Sequence, residues 1–196
     1  MAEGTQFSAV YNRFLDKITD DMYMELTPQD TIKDLRNLLI NAIPEFEFPR
    51  KNLMDYTIEQ MVIREDKLMP GDFLLGVLWN ELPEDAGVTV PDVIVERSAF
   101  AATLTSEEIN ILALLMKQGW VQRQVTSIEN TRMKYSGSDF KFTSQANHLA
   151  KLLSLLKEAQ REAHHMQRLY KRRKLDENGN YVSTWSEYFG GNNATK

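Results

Sequence analysis

Two long amphipathic stretches between residues 104 and 174 dominate the pattern of apolar and polar positions. In the first, apolar side chains recur every three or four residues, the spacing of one buried helical face. They are Ile109, Leu112, Ala113, Met116, Trp120, Val121, Val125 and Ile128. The second stretch repeats this spacing from Ala146 to Tyr170, and Gly137 lies between the two, where it can end the first helix. Because the link is short, the two helices are expected to form an antiparallel hairpin.

The start of the first long helix is marked by residues that cap helices. Thr105 can accept a hydrogen bond from the first free N–H groups, and Glu108, three residues later, can accept one from the N–H of Thr105. Leu104 and Ile109 are spaced for a hydrophobic staple across this start. The sequence therefore predicts a capping box at Thr105.

Two shorter helices are predicted ahead of the hairpin. The first carries an apolar stripe of Phe7, Val10, Tyr11, Phe14, Leu15 and Ile18. The second begins at Thr27-Pro28, a capping residue followed by proline in the first turn, and ends at Pro44. Its buried face is expected to consist of Ile32, Leu35, Leu39 and Ile43. By count, the chain predicts a four-helix core.

Residues 44–103 have a different pattern, with short alternating runs and turn signals at Met69-Pro70-Gly71-Asp72 and 83–87. We interpret this segment as a small β-rich insertion. The predicted fold is mainly α, a helical bundle built on the long hairpin, with this insertion and an extended C-terminal tail. The predicted domains are a helical domain at 1–174 and a docking tail at 175–196.

Composition narrows the functional classes only slightly. Hydrophobic residues make up 42% and charged residues 26% of the 196 positions, as in ordinary globular chains. The chain has no cysteine, which excludes disulfides, thiolate metal sites and cysteine nucleophiles and fits a reducing compartment. Neither a signal peptide nor a membrane-spanning stretch is expected from the sequence.

The distribution of charge says more than its net value of −5. Residues 1–100 carry 9 Lys/Arg against 19 Asp/Glu, a balance of −10, whereas residues 101–196 carry 14 against 9, a balance of +5. The densest basic cluster closes the second long helix: Arg168, Lys171, Arg172, Arg173 and Lys174. Cations favour a helix C-terminus without any partner. The alternative is contact with an acidic partner, such as the acidic half of another copy, or with nucleic acid.

The sequence gives little indication of a catalytic or metal-binding site. The sequence contains no glycine-rich phosphate loop, zinc-protease motif or nucleophile elbow. His148, His164 and His165 are not spaced to place two ligands one turn apart on a helix face. Residues 176–187 partly match a calcium loop, but Tyr181 occupies the position that requires glycine. We expect no enzymatic activity, no metal and no cofactor.

The C-terminal tail carries three aromatic side chains, Trp185, Tyr188 and Phe189, close to a glycine-rich end. Such a tail either folds back on the helices or is buried on a partner surface. Ahead of these rings, Asn178-Gly179 can close a β-hairpin.

Several local sequences resemble virion proteins of tailed bacteriophages. They are Tyr11-Asn12-Arg13-Phe14-Leu15, Leu38-Leu39-Ile40-Asn41-Ala42-Ile43, Leu104-Thr105-Ser106-Glu107-Glu108-Ile109, Trp120 through Asp139-Phe140, and Ala146-Asn147-His148-Leu149. The chain is most similar to the small helical head–tail connector, or adaptor, proteins of the neck. The resemblance covers residues 7–43 and 104–156 and consists of packing and capping patterns.

This resemblance implies a structural role in the virion, which assembles in the host cytoplasm. It implies a homo-oligomeric ring, commonly of twelve copies, beneath the portal, with DNA passing through the channel and a C-terminal extension docked into the portal. The expected partner-binding residues are then the basic cluster and the three aromatic residues of the tail. The alternative is a nucleic-acid-binding regulatory protein that uses the basic end of the last helix.

Overall fold

The computed structural model describes residues 4–18, 23, 26–78, 91–134, 143–175 and 181–182. These residues form four α-helices, which are α1 (Phe7–Leu15), α2 (Pro28–Ala42), α3 (Ser106–Lys134) and α4 (Thr143–Arg172). Seven short strands accompany them: β1 (Tyr56–Thr57), β2 (Gln60–Arg64), β3 (Phe73–Leu78), β4 (Asp92–Glu96), β5 (Ala99–Phe100), β6 (Lys174–Leu175) and β7 (Tyr181–Val182).

The strands form one three-stranded antiparallel sheet in the order β2-β4-β3 and two antiparallel pairs, β1 with β5 and β6 with β7. Ile94 at the centre of β4 faces Val62 of β2 on one side and Gly76 of β3 on the other. The register of β3 shifts between Leu74 and Gly76, which is a β-bulge. The bulge turns Leu75 into the core, where it is 1% exposed.

The prediction of a mainly α helical bundle built on a long hairpin is wrong, because the fold is mixed α/β. Helices α3 and α4 are long, but the sheet shares their core instead of forming a separate insertion. Leu75 and Phe100 are buried in the same apolar cluster as the helices, and Phe73 packs edge-on against Tyr11 at 5.9 Å between ring centres. The sequence suggested an insertion because the apolar residues of the strands find their partners far along the chain.

The helices begin and end where local capping chemistry places them. Thr27 accepts a hydrogen bond from the N–H of Asp30 at 3.2 Å, and α2 ends in a 3-10 turn at Ile43–Glu45. At the start of α3, the Thr105 hydroxyl accepts from the N–H of Glu108 at 3.3 Å, and the Glu108 carboxylate accepts from the N–H of Thr105 at 2.7 Å. The predicted capping box at Thr105 is confirmed.

Residues 4–7 are joined to residues 98–102, which include β5, by backbone hydrogen bonds. The N–H of Phe7 donates to Ser98, and the N–H of Phe100 donates to Thr5, both at 2.8 Å. The two chain segments approach so closely that a Cβ at Gly4 would lie 1.7 Å from the carbonyl oxygen of Phe100. Glycine is therefore required there, and α1 begins directly after this contact with β5.

A buried polar cluster ties α1, α2 and β4 together. Glu96 of β4 is 3% exposed, and both of its oxygens accept from the Arg36 guanidinium, at 3.2 and 2.5 Å. The Tyr11 hydroxyl donates to Glu96 at 3.3 Å. Burial, followed by the nearby Glu96 charge, raises the pKa of Tyr11. The cluster fixes the sheet against both N-terminal helices.

Candidate interaction surface on helix α4

The inner face of α4 and its C-terminal end are fixed by contacts with the rest of the chain. Leu149, Leu156, Ala163 and Tyr170 are buried in the main core. Tyr170 donates from its hydroxyl to Glu108 of α3 at 2.6 Å. These contacts set the rotation of α4 about its axis, and so they decide which side chains face solvent.

The segment of residues 46–51 lies along the C-terminal half of α4. The backbone N–H of Glu47 donates to Gln167 at 2.8 Å. Arg50 donates to the carbonyl oxygens of Tyr170, at 2.8 Å, and of Arg173, and its guanidinium lies 4.4 Å from the centre of the Tyr170 ring. The last carbonyl groups of α4 are thus satisfied by a side chain from a distant segment.

The structure divides the predicted basic cluster into cations held by other parts of the chain and cations that face solvent. Lys171 lies over the Phe48 ring with its Nζ 3.9 Å from the ring centre, and Arg173 forms an ion pair with Glu107 at 2.8 Å. Lys174 lies in β6, where it pairs with Val182. Arg168 and Arg172 are exposed on the outer face of α4. Among the described side chains of the cluster, Arg168 and Arg172 are the two that form neither an ion pair nor a cation–π contact. That the cluster binds a partner stays a prediction.

Two further cations, which the sequence reasoning missed, join Arg168 and Arg172 on that face. Lys157 and Arg161 are exposed, and at 100° per residue all four side chains fall within about 60° around the helix axis. We call Lys157, Arg161, Arg168 and Arg172 the basic stripe. It extends about 22 Å along α4, at 1.5 Å per residue. The signal was present in the sequence as the helical spacing of the cations, which a search for contiguous clusters overlooks.

None of the four cations of the basic stripe forms an ion pair within 4 Å in the described part of the chain. Of the two glutamates of α4, Glu162 lies 3.5 Å from Lys117 of α3. The net charge of α4 is +4, from six lysines and arginines against two glutamates. The stripe is therefore a surface suited to a negatively charged partner.

The tail residues Trp185, Tyr188 and Phe189 lie outside the described residues. The predicted hairpin ahead of them is confirmed in its pairing, because Leu175 of β6 faces Tyr181 of β7. The role of the three aromatic side chains in docking stays a prediction.

Buried and clustered carboxylates elsewhere are paired within the molecule. Burial opposes ionisation of Glu108, but hydrogen bonds from Thr105 and Tyr170 and the nearby Lys51 together lower its pKa. A groove of about 500 Å³ between α2 and α3 contains Asp34, which forms two hydrogen bonds with Arg123, at 2.5 and 2.9 Å. No group of three or more potential metal ligands occurs among the residues described. Glu108 and Asp34 thus join α3 to α4 and α2 to α3.

Comparisons with known proteins do not extend this description. No family model matches the sequence, and the searches of curated proteins and of solved structures also give no significant match. Within the described ranges, none of the helices has both the length and the apolar character needed to cross a membrane. The surface of α4 is thus the strongest basis for a functional proposal.

Proposed function

We propose that this protein is a structural component of the neck of a tailed-bacteriophage virion, a head–tail connector that forms a ring beneath the portal. The observation that carries a binding role is the basic stripe, four exposed cations on one helix face without acidic partners in the described structure. The resemblance at residues 7–43 and 104–156 supports the narrower assignment to the neck. The proposed role requires no reaction and no cofactor.

The mixed α/β fold restricts what the resemblance can support. The adaptor pattern implied a helical bundle, whereas β3 and β4 here contribute to the shared core and to the Glu96 cluster. The contacts of the sheet therefore cannot be taken from the adaptor pattern. Portal binding through the tail, the passage of DNA through the ring and the number of copies remain parts of the proposal.

The test is the composition of purified virions. Quantitative mass spectrometry should find this chain at a ring stoichiometry relative to the portal, and electron microscopy of particles labelled on this chain should place the label at the neck. Particles that contain the portal but lack this chain would overturn the proposal. A host-cell protein of similar abundance, measured in the same preparation, controls for carry-over.

A second candidate is a nucleic-acid-binding regulatory protein, which the same stripe favours because phosphates attract exposed arginines. If four cations neutralise four phosphates of duplex DNA, log K should fall with log salt with a slope of about −3.6. The variant R161Q/R168Q/R172Q should then lose most of that slope, whereas R64Q, on the sheet, should keep it. A salt-independent or undetectable affinity of the wild type for duplex DNA would reject this candidate.

A further inference from the structure

The sheet presents a second exposed surface whose charge is opposite to that of the basic stripe. Residues 54–69 carry four exposed aspartates and glutamates against two exposed cations, Arg64 and Lys67, a balance of −2. Asp55 directly precedes β1, Glu59 directly precedes β2 and Glu65 directly follows β2, and all three are exposed. Strand β2 is an edge strand of the three-stranded sheet. We call these three residues the acidic edge. None of them forms an ion pair within 4 Å in the part of the chain that the structure describes.

Large apolar side chains are also exposed in the chain segment that contains the acidic edge. Met54, Ile58 and Val62 recur at four-residue steps along the same segment and are 64%, 50% and 56% exposed. Exposed apolar side chains of this size, next to charges, are typical of protein contact surfaces. On α4, Leu153 is 38% exposed and precedes Lys157 by one helical turn, so the basic stripe also begins with an apolar contact group.

The part of the acidic edge that flanks β2, from Glu59 to Glu65, is about as long as the basic stripe. Glu59 and Glu65 are six residues apart along an extended strand, which corresponds to about 20 Å at 3.3 Å per residue. The basic stripe is about 22 Å long. A straight helix face and a strand edge of nearly equal length allow several charge pairs to form at once.

We infer that the basic stripe of one copy docks on the acidic edge of a second copy of this chain, in a repeated head-to-tail contact. The inference rests on the proposed ring-forming function and names the two surfaces that join neighbouring subunits. In the described structure the two surfaces of one molecule form no ion pair with each other, so the contact we infer is one between two molecules. A contact between two different surfaces is heterologous, and it closes into a ring when the rotation between neighbours divides a full turn.

The test is a charge exchange, measured by mass photometry and by light scattering after size-exclusion chromatography. The stripe variant R161E/R168E/R172E and the edge variant D55K/E59K/E65K should each run as monomers at concentrations where the wild type is oligomeric. Mixed in equal amounts, they should associate with each other. The acidic stripe of the first variant then meets the basic edge of the second, and the unchanged basic stripe of the second meets the unchanged acidic edge of the first. A single chain that carries all six substitutions should assemble alone, and this result also shows that the substitutions permit folding.

Three outcomes would overturn the inference. In the first, the stripe variant keeps the wild-type oligomer. In the second, the mixture and the six-substitution chain both stay monomeric while circular dichroism shows them folded. In the third, the wild type itself stays monomeric. A stripe variant that assembles normally but no longer binds duplex DNA would assign the stripe to nucleic acid instead. Presence in virions is measured in a separate experiment. If the inference about the two surfaces fails, the proposed neck function is still tested by that measurement alone.

Discussion

Replacing Glu96 with glutamine tests whether the buried Arg36–Glu96–Tyr11 cluster holds the sheet against the helices. Glutamine has nearly the same volume as glutamate but cannot balance the charge of Arg36, whose side chain is only 19% exposed. Removing one partner of a buried ion pair lowers the free energy of unfolding by about 3–5 kcal/mol. Because Arg36 is partly exposed, we expect a loss at the lower end of this range, about 3 kcal/mol. For a chain of this size, that loss lowers the melting temperature by about 6–12 °C.

The assay is urea unfolding, followed by circular dichroism for the helices and by tryptophan fluorescence. With an m-value of about 2 kcal/mol per molar urea, the midpoint of E96Q should fall by about 1.5 M. Y11F, which removes only a hydroxyl donor at 3.3 Å, should cost about 1 kcal/mol. The apolar replacement Y11F/R36M/E96L should return to within about 1 kcal/mol of the wild type, because both desolvated charges are gone and no buried hydroxyl is left without an acceptor. A loss under about 1 kcal/mol for E96Q, or a triple variant as unstable as E96Q, would refute this reasoning.

Four further predictions follow from other parts of the structure. Changing Trp120, which is 8% exposed, to alanine should lower the free energy of unfolding by about 3–5 kcal/mol in the same unfolding assay. A loss under about 1 kcal/mol would contradict its role in the core. The lowered pKa of Glu108 means that its ionised form stabilises the fold above about pH 4.3, so stability should fall as the pH drops below that value, and less steeply in E108Q. The raised pKa of Tyr170, caused first by burial, predicts that stability falls as the pH rises above about 10, and Y170F should reduce this loss. Deleting residues 175–196 should leave the helical circular dichroism intact but prevent incorporation into particles, and normal incorporation would show that the tail is not the anchor.

Features that depend on neighbouring residues were predictable from the sequence. The capping box at Thr105 and the start of α2 at Thr27 are set by groups three residues apart, so the pattern contains all of the relevant chemistry. The place of the sheet was not predictable in this way. Glu96 finds its partners 60 and 85 residues away, and no local pattern shows that a carboxylate in a strand will be neutralised by a helix.

The basic cluster at the end of α4 likewise combines features that are visible locally in the sequence with contacts that depend on distant residues. Arg168 and Arg172 of the basic stripe belong to the predicted basic cluster, but their neighbours Lys171 and Arg173 are engaged by distant groups. Phe48 lies 123 positions from Lys171 and Glu107 lies 66 from Arg173, so no local pattern separates these two cations from Arg168 and Arg172. The helical spacing of Lys157 and Arg161, in contrast, was visible and could have been used.

The contact of Arg50 with the end of α4 has a consequence for the order in which the protein folds. Most of α4 can form from local hydrogen bonds, but its last carbonyl groups gain the Arg50 donor only after residues 46–51 have docked. The final turn should therefore exchange its amide hydrogens faster than the middle of the helix, through local opening that releases Arg50. Arg172 lies in that turn. One end of the basic stripe is therefore fixed in orientation only after the long-range contacts with residues 46–51 have formed.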